Sequence, residues 1–418
     1  MKFSPLKILR ATALAALAAL LVAAALAIQT GPRLAPAAPT SAADVLRARE
    51  FLRANDPRRG EPGQPRRLEI GERELNLLLA HLALRRPDTL VELRLQPGLA
   101  LLSASAALPG AGGFGWLNVD ARLRETASLP AIDSLRIGRL PVPAWLAEAV
   151  LRRALQRWQA HGELQLAGEL VQHIGFDAQR LRLNYRWQAD SLERALAALW
   201  PLDEQRRMQA YEARLGALGA AHAQDESISL AALLPPMFAL ARERTAQGQP
   251  AAAENRAALL TLALHVNGRR WGSVMPAARD WPAPRPLLLT LAGREDFPMH
   301  LLVSAALALE GGGPLADAIG IDKELADTRG GSGFSFNDIA ADRAGTRLGL
   351  LARKDPERLQ RALVPGLAER DFMPAVDDLP EFMSEQAFLE RYGGVGAPAY
   401  REMMAMIEAR LDSIALLR

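Results

Sequence analysis

The sequence predicts an α+β protein with an N-terminal membrane helix, an antiparallel sheet domain containing two helices, and an all-helical C-terminal domain. A few observations predict this class. A single long apolar run occupies residues 11–28, near the N-terminus. Alternation of apolar and polar residues, typical of strands with one buried face, recurs between about residues 65 and 190. From about residue 191 onward, apolar residues recur mainly at the spacing of amphipathic helices.

Composition limits the classes of function. The 418 residues include 50 Lys and Arg, 47 Asp and Glu, and no Cys. Without cysteine the chain has no disulfide, no thiol nucleophile, no Cys-ligated zinc and no lipid-modified cysteine. The formal net charge of +3 is spread over the whole chain, and aromatic residues make up 5% of it. We therefore expect no nucleic-acid partner, and we expect no cofactor.

The apolar run indicates a membrane segment. Lys2, Lys7 and Arg10 precede it, and this positive flank predicts that the N-terminus stays inside and the remainder is exported. The length of the run, at the lower limit for spanning a bilayer, favours an uncleaved signal-anchor. Small residues at Ala25 and Ala27 fit the alternative, a cleavable signal peptide. Either alternative predicts a bacterial cell-envelope protein whose main part is periplasmic.

Four domain boundaries follow from this organisation. The signal-anchor or signal peptide is assigned to residues 1–40, and the Pro-, Ala- and Arg-rich stretch that begins near residue 30 predicts a tether over residues 41–64. The sheet domain, a helical connector region and the helical C-terminal domain follow in that order. Their predicted bounds are residues 65–190, 191–285 and 286–418.

The sheet domain is predicted from strands that alternate apolar and polar residues and from two helices near residues 71–84 and 143–161. The Gln96-Pro97-Gly98 sequence predicts a turn between two strands. The clearest apolar positions of the alternating strands are Val91, Leu93, Leu95, Leu117, Val119, Leu183 and Tyr185.

Residues 65–165 resemble the YceB- and YpmS-like membrane-anchored envelope proteins, which are related in shape to tubular lipid-binding domains. Glu74-Leu75-Asn76 at the first helix, the strand pairs after it, and the apolar stretch at residues 136–143 carry the resemblance. It implies a curved sheet that wraps on helices and encloses an apolar groove for an acyl chain, lined by the seven apolar positions above. The alternative stays open that these apolar faces form a closed core, because alternation alone does not distinguish a core from a groove.

Helices are predicted over residues 191–223, 230–246 and 251–266. The second is expected to be interrupted at Pro235-Pro236, because proline removes helical hydrogen bonds. Three prolines at residues 282–286 predict an extended connector to the last domain.

The densest group of polar side chains suited to catalysis or binding lies between residues 296 and 349. Helices are predicted on both sides of a glycine-rich loop at residues 330–333. Asp338 and Asp342 are four residues apart, so they share one face of the last of these helices. A helical hairpin would bring together the candidate catalytic residues, which are His300, Lys323, Glu324, Asp327, Asp338 and Asp342.

Two chemical interpretations of this cluster stay open. His300, Glu324 and Asp342 have ligand types that suit a divalent metal, although two histidines at a fixed spacing are missing. Glu324 and Asp342 could instead form an acid–base pair, with Lys323 binding the substrate.

A structural interpretation of the same segment competes with both. Ser335 and Asp338 fit a capping box, and Phe334 and Ile339 fit a hydrophobic staple. On the helix that follows, small residues that would let a second helix approach closely recur every four positions, at Ala341, Gly345 and Gly349. Asp342 lies on this crowded face and needs a partner when buried, for which Lys323 or Arg343 are the candidates.

Residues 294–349 resemble the YfiM-like small envelope lipoproteins. The motifs that carry the resemblance are His300, Lys323-Glu324, Asp327, Ser332-Gly333-Phe334-Ser335, Asp338, Asp342 and Gly345. The resemblance implies a shared architecture around a polar site and supplies no reaction. This chain lacks the cysteine that carries lipid in that family, so its own anchor would have to replace the lipid.

Other stretches add no candidate chemistry. GxSxG, Walker and HExxH motifs do not occur in the chain. The glycine-rich turn at residues 391–396 lacks a following Lys-Ser/Thr and is interpreted as a loop, and the acidic stretch at residues 377–381 is interpreted as a solvated helix start.

Three functional classes follow from these observations. The first is a protein anchored in the inner membrane through residues 11–28 that binds lipid-like or other envelope components. The second is an envelope scaffold that binds other proteins. The third is a hydrolase-like enzyme that uses His300, Lys323, Glu324 and Asp342. The sequence favours them in that order.

Overall fold

The computed structural model describes residues 25–35, 51, 55, 63–83, 89–108, 115–127, 129–149, 153, 170–186, 200–222, 226–311 and 333–418. The chain divides into two compact units with a boundary between Ala198 and Leu199. We call them the sheet unit and the helical unit. Mixed helix and antiparallel sheet confirm the predicted α+β class.

Most of the apolar run at residues 11–28 lies outside the described residues, which include only its helical end at residues 25–27 and the start of a strand. Within the part of the chain that the structure describes, none of the helices combines the length and the apolar character needed to cross a membrane. The predicted tether at residues 41–64 also lies almost entirely outside the described residues.

The described part of the sheet unit consists of short strands, a helix that precedes the longest hairpin, and the helical residues 144–149, which agree with the start of the second predicted helix. In chain order its elements are β1 (Ile28–Gln29), β2 (Pro65–Gly71), α1 (Glu72–Ala83), β3 (Thr89–Gln96), β4 (Leu99–Ala107), β5 (Trp116–Arg124), β6 (Ala131–Ile137), β7 (Leu140–Val142), β8 (Val171–Phe176) and β9 (Arg180–Arg186). The larger antiparallel sheet has the order β3-β4-β5-β6-β7, with β1 paired to β5. The smaller one has the order β2-β9-β8 and is also antiparallel.

The register of the larger sheet collects the apolar residues on one face. Val91 lies opposite Ala104, which lies opposite Val119, which in turn lies opposite Ile137. Because side chains alternate between the two faces of a strand, all four point to the same side. The sheet therefore has one continuous apolar face and one polar face, as the alternation in the sequence predicts.

Helix α1 and the smaller sheet contribute to a closed core at one end of this apolar face. The core consists of Leu93, Leu95, Ala100 and Phe176. Partly buried side chains pack around it, and they are Leu75, Leu79, Leu102, Leu123, Ile174 and Leu181.

Helix α1 is joined to β3 by hydrogen bonds as well as by packing. The amide of Asn76 accepts from the N–H of Leu93 at 2.7 Å and donates to the carbonyl of Leu93 at 2.8 Å. A carboxylate oxygen of Glu72 accepts from the N–H of Leu95 at 2.6 Å. These bonds satisfy backbone groups of β3 and fix the helix against the closed core.

The helical unit consists of helices and one pair of short parallel strands. In chain order its elements are α2 (Leu202–Ala220), β10 (Ser227–Ser229), α3 (Leu230–Ala246), α4 (Ala251–Val266), β11 (Leu288–Thr290), α5 (Phe297–Gly311), α6 (Phe336–Lys354), α7 (Pro356–Ala362), α8 (Glu385–Tyr392) and α9 (Pro398–Ser413). The bounds predicted for α3 and α4 agree with the structure.

Two details of this unit differ from the predictions. Helix α3 continues through Pro235 and Pro236 instead of being interrupted there. The packing of Pro235, Met237 and Phe238, all buried, compensates for the lost hydrogen bonds. One hydrophobic core includes residues of both the predicted connector region and the predicted C-terminal domain. In addition, strand β11 of the predicted C-terminal domain pairs with β10 of the predicted connector region. The C-terminal part is therefore not entirely helical.

Helices α5 and α6 approach each other closely at the predicted stripe of small residues. A Cβ atom at Gly345 would overlap the carbonyl oxygen of Leu301, and one at Gly349 would overlap that of Ala305. Only glycine allows two helix backbones to come this close. The side chains beside the stripe are consequently forced into direct contact across the interface.

Candidate functional site

The close approach of α5 and α6 places one histidine between two aspartates. In His300, Nδ1 lies 3.1 Å from Oδ1 of Asp342, and Nε2 lies 3.4 Å from Oδ2 of Asp338. All three residues are buried. The structure thus brings together three of the six predicted site residues, and the four-residue spacing of the aspartates places one carboxylate at each ring nitrogen.

One ring nitrogen of His300 has a hydrogen-bond partner, since Nδ1 lies 3.1 Å from Oδ1 of Asp342. An ionised carboxylate only accepts hydrogen bonds, so toward such a group Nδ1 is the donor. Nε2 faces Asp338 at the longer distance of 3.4 Å. The imidazole thus lies between two buried carboxyl groups, which would be costly to bury if they were isolated.

Ser304 completes the contacts of Asp342. Its hydroxyl donates to Oδ1 of Asp342 at 2.8 Å, one helical turn after His300. A serine nucleophile would need to donate to a base, and here it donates to the carboxylate that already holds the histidine. Among the described residues the hydroxyl of Ser304 therefore donates to Asp342 and not to His300.

A second group of charges lies beside the first. Arg294 forms ion pairs with Asp296 at 2.6 Å and with Glu381, and its guanidinium lies 3.9 Å from Oδ1 of Asp338. Burial opposes the charged form of Asp296, but the hydrogen bonds and the charge of Arg294 outweigh it and hold the pKa of that carboxyl below its ordinary value. Asn337 donates to Glu381 at 3.1 Å. In the acidic stretch at residues 377–381, Asp377 and Asp378 are exposed as predicted, but the stretch forms a turn instead of a helix start and Glu381 is partly buried.

The capping prediction for α6 holds alongside these contacts. The hydroxyl of Ser335 accepts from the N–H of Asp338 at 3.1 Å, so Ser335 caps the helix. Phe334 and Ile339 are both buried, as a staple requires. Capping uses the backbone of Asp338, which leaves its carboxylate available for His300.

The remaining predicted site residues divide into two groups. Lys323, Glu324 and Asp327 lie outside the described residues, so the acid–base and metal interpretations that include Glu324 stay predictions. Arg343, predicted as a partner of Asp342, pairs with Glu408 at 2.5 Å, because its side chain extends toward α9. Within the ranges described above, no group of three or more His, Cys, Asp or Glu residues has a geometry that could hold a metal ion.

The predicted groove residues of the sheet unit also divide into two groups. Leu93 and Leu95 are buried in the closed core, which agrees with the core alternative at that end of the sheet. The other predicted groove residues are half-buried, and they are Val91, Leu117, Val119, Leu183 and Tyr185. Beyond the closed core the apolar face continues with half-buried side chains, namely Ala104, Ala106, Leu135, Ile137, Leu140 and Val142. A closed core and a half-buried apolar surface thus share one face.

One buried ionic cluster is absent from the sequence predictions. Glu254 of α4 is 0% exposed and accepts from Arg207 at 2.8 Å, from Arg244 at 2.7 Å and from the hydroxyl of Tyr211 at 2.9 Å. Burial, together with the neighbouring charge of Glu254, raises the pKa of Tyr211. The cluster joins α2, α3 and α4. Its only signal in the sequence is a glutamate within an otherwise apolar helix.

Comparison of the chain with protein-family models, with curated proteins and with solved structures finds no match. The resemblances of residues 65–165 and 294–349 to envelope families therefore stay predictions. The apolar face of the sheet unit and the polar cluster around His300 in the helical unit are therefore the two candidate sites.

Proposed function

We propose that this protein is anchored in a bacterial inner membrane, faces the periplasm and binds the acyl chains of a lipid on the apolar face of its sheet unit. One observation carries the proposal: the apolar face continues past its closed core, and the side chains of the extension are only half-buried. The part of an apolar surface that stays in contact with water costs free energy in proportion to its area. An acyl chain would cover it without requiring polar partners.

The composition of the face supports this ligand class. Val119, Leu135 and Ile137 come from neighbouring strands and present only aliphatic groups. The polar residues of the same strands, such as Ser134 and Arg136, alternate to the opposite face and are exposed. The face therefore offers an extended aliphatic strip, which suits a flexible hydrocarbon chain better than it suits a polar molecule.

The hydrolase alternative receives less support. His300 and Asp342 meet and are both buried, and Oδ1 of Asp342 is held by His300 and by Ser304. Its other two residues, Lys323 and Glu324, lie outside the described residues. We therefore place the binding function in the sheet unit.

The test compares two neighbouring residues on opposite faces of β6. Leu135→Lys adds a charge to the apolar face, and Ser134→Lys adds the same charge to the polar face. Both full-length variants are purified in the same detergent, and bound lipid is measured by native mass spectrometry. We expect lipid to be retained by Ser134→Lys and lost from Leu135→Lys, because a charge is costly on a surface that contacts hydrocarbon.

A second variant separates loss of binding from loss of folding. Ala104→Phe keeps the face apolar but fills it, so it should also displace lipid while the circular dichroism spectrum stays unchanged. Equal lipid in the wild type and in all three variants would contradict the proposal, because lipid retained only by the detergent micelle would not depend on the sheet face.

A further inference from the structure

The segment that directly follows the apolar run is bound to the larger sheet. Residues Ile28 and Gln29 pair with Leu117 and Trp116 of β5 as strand β1. Arg33 then lies over the polar face, where its guanidinium pairs with Asp120 at 2.8 Å and donates to the carbonyl of Gly138 at 2.7 Å. These residues belong to the predicted anchor and to the start of the predicted tether, yet they form part of the sheet unit.

Two buried polar side chains of the sheet depend on this segment. Ser105 is 0% exposed and Asn118 is 1% exposed, and both accept from the N–H of Arg33, at 3.2 and 3.1 Å. Asn118 also donates to the side chain of Gln29 at 2.7 Å and to the carbonyl of Gly31 at 3.0 Å. Buried polar groups require partners, so these residues specify that the segment is bound here.

The end of the apolar run contacts one turn of the sheet directly. The N–H of Arg139 donates to the carbonyl of Leu26 at 2.7 Å. A Cβ atom at Gly138 would overlap the carbonyl oxygens of Leu26 and Ala27, and φ of Gly138 is +60°. The helical residues 25–27 therefore pass into β1 without an intervening linker.

This contact defines which end of the sheet is nearest to the apolar run. The N–H of Gly138 donates to the carbonyl of Asn118, whereas the carbonyl of Gly98 accepts from the N–H of Glu125. Asn118 and Glu125 are seven residues apart along one extended stretch, so the two turns are separated by roughly 23 Å at about 3.3 Å per residue. The Gly138–Arg139 turn is the near end, and the Pro97–Gly98 turn is the far end.

We propose that the bound segment holds the sheet unit upright on the bilayer, with the Gly138–Arg139 turn against the lipid headgroups, so that the apolar face takes up acyl chains from the membrane itself. This inference rests on the proposed function, with the membrane-embedded part of the anchor preceding the sheet-bound residues 26–28 of the apolar run. The near end carries Ile28, Leu117 and Ile137 on the apolar face. The face would consequently begin where the hydrocarbon of the membrane ends.

The side chains near this end fit a lipid surface. Arg139 is exposed and suits phosphate groups. Ile28, on the apolar face at this end, is 44% exposed and offers an aliphatic side chain to the membrane. Because Arg33 occupies only the polar face of the sheet, it leaves the apolar face free.

The absence of cysteine makes a direct test simple. Arg139→Cys and Gln96→Cys, both at exposed positions, place one fluorophore at the near end or at the far end of the sheet. The full-length variants are reconstituted in vesicles of phosphatidylethanolamine and phosphatidylglycerol that contain a headgroup nitroxide lipid. We expect the nitroxide to quench the label at residue 139 severalfold more than the label at residue 96.

A third variant tests the role of Arg33 as a positioning residue. Arg33→Ala in the residue 139 reporter should reduce the quenching, while Arg122→Ala, which removes an exposed arginine from the same sheet, should leave it unchanged. Equal quenching at residues 139 and 96, in a chain that floats with the vesicles, would overturn the inference. Failure to float would overturn the anchor and this inference together. Stronger quenching at residue 139 than at residue 96, in a protein that retains no bound lipid, would overturn the proposed lipid binding but not the orientation of the sheet unit on the bilayer.

Discussion

The sheet unit and the helical unit bury their apolar residues differently. In the helical unit a single core extends from Met208 to Leu417 and includes residues of nearly every helix. In the sheet unit the closed core is limited to Leu93, Leu95, Ala100, Phe176 and their neighbours, and much of the apolar face is only half-buried. Apolar residues at helical spacing therefore close into one core, whereas those that alternate along the strands are buried only at one end of the sheet.

The two units also differ in the polar groups that they bury. The helical unit buries ionisable groups, as in the cluster around Glu254 and in the contacts of His300. The sheet unit buries the neutral side chains of Ser105 and Asn118, which bind a backbone segment. Neutral groups lose less solvation when they are buried, so a bound segment of this kind costs less to form than an ion cluster.

The largest effect is expected from breaking the ion cluster of the helical unit. Glu254→Gln leaves Arg207 and Arg244 buried without a carboxylate, so we expect the free energy of unfolding to fall by about 3–5 kcal/mol. Chemical denaturation measures it. The matched control is Glu357→Gln, whose pairing with Arg361 is 3.8 Å long and two-thirds exposed, and which should change stability by less than about 0.5 kcal/mol.

The next effect tests the close contact of α5 and α6. Gly345→Ala would place a methyl group against the carbonyl of Leu301, so we expect a loss of about 3 kcal/mol. Gly216→Ala is the control, because Gly216 is also within a helix, α2, but has open space around it. That variant should gain up to about 1 kcal/mol from helix propensity. A neutral Gly345→Ala would show that the helices are farther apart.

A smaller effect distinguishes the closed core of the sheet unit from its exposed face. Leu93→Ala should cost about 2–3 kcal/mol, because it leaves a cavity among buried neighbours. Val119→Ala, at a half-buried position, should cost less than about 1 kcal/mol and should instead weaken lipid binding. Thermal unfolding and lipid retention are measured on both. If the two variants lose equal stability, the apolar face is a continuous core.

The smallest effect concerns a carboxyl group buried in α2. Burial raises the pKa of Glu212, and the charge of Arg270 opposes this only in part. The folded state therefore binds the proton more tightly than the unfolded state, so this contribution to stability is present below the ordinary glutamate pKa and is lost as pH rises through the raised pKa. Glu212→Gln imitates the protonated form, and we expect it to gain about 1 kcal/mol near neutral pH. The free energy of unfolding of the wild type and of Glu212→Gln is measured by denaturation at pH 4 and pH 7. A lower stability of Glu212→Gln than of the wild type at pH 7 would contradict a raised pKa of Glu212.

Local patterns in the sequence predict much of the fold. The bounds of α3 and α4 follow from apolar spacing, and the two faces of the larger sheet follow from alternation, because both are decided by residues close together in the chain. Part of the site was also predictable. The small-residue stripe indicated that Asp342 is buried and needs a partner, but the partner in the structure is His300 and the predicted Arg343 pairs with Glu408 instead.

The partners of charged residues were not predictable. Arg33 reaches Asp120, and Glu381 reaches Arg294, across 87 residues in each case. Nearly every cation in this chain is an arginine, so composition does not indicate which one pairs with which carboxylate. Only the tertiary fold decides these pairs. The same limit explains why Glu254 and its three partners were missed.

The bonds between α1 and β3 have a consequence for association between molecules. Strand β3 lies at the edge of the larger sheet, and an open edge is a template on which another strand can add and a fibre can grow. Asn76 occupies both hydrogen-bonding groups of Leu93, and Glu72 occupies the N–H of Leu95. At the opposite edge β7 has three residues and contains Pro141. Both edges therefore discourage strand addition, which protects a protein that keeps an apolar face exposed from aggregating through its sheet.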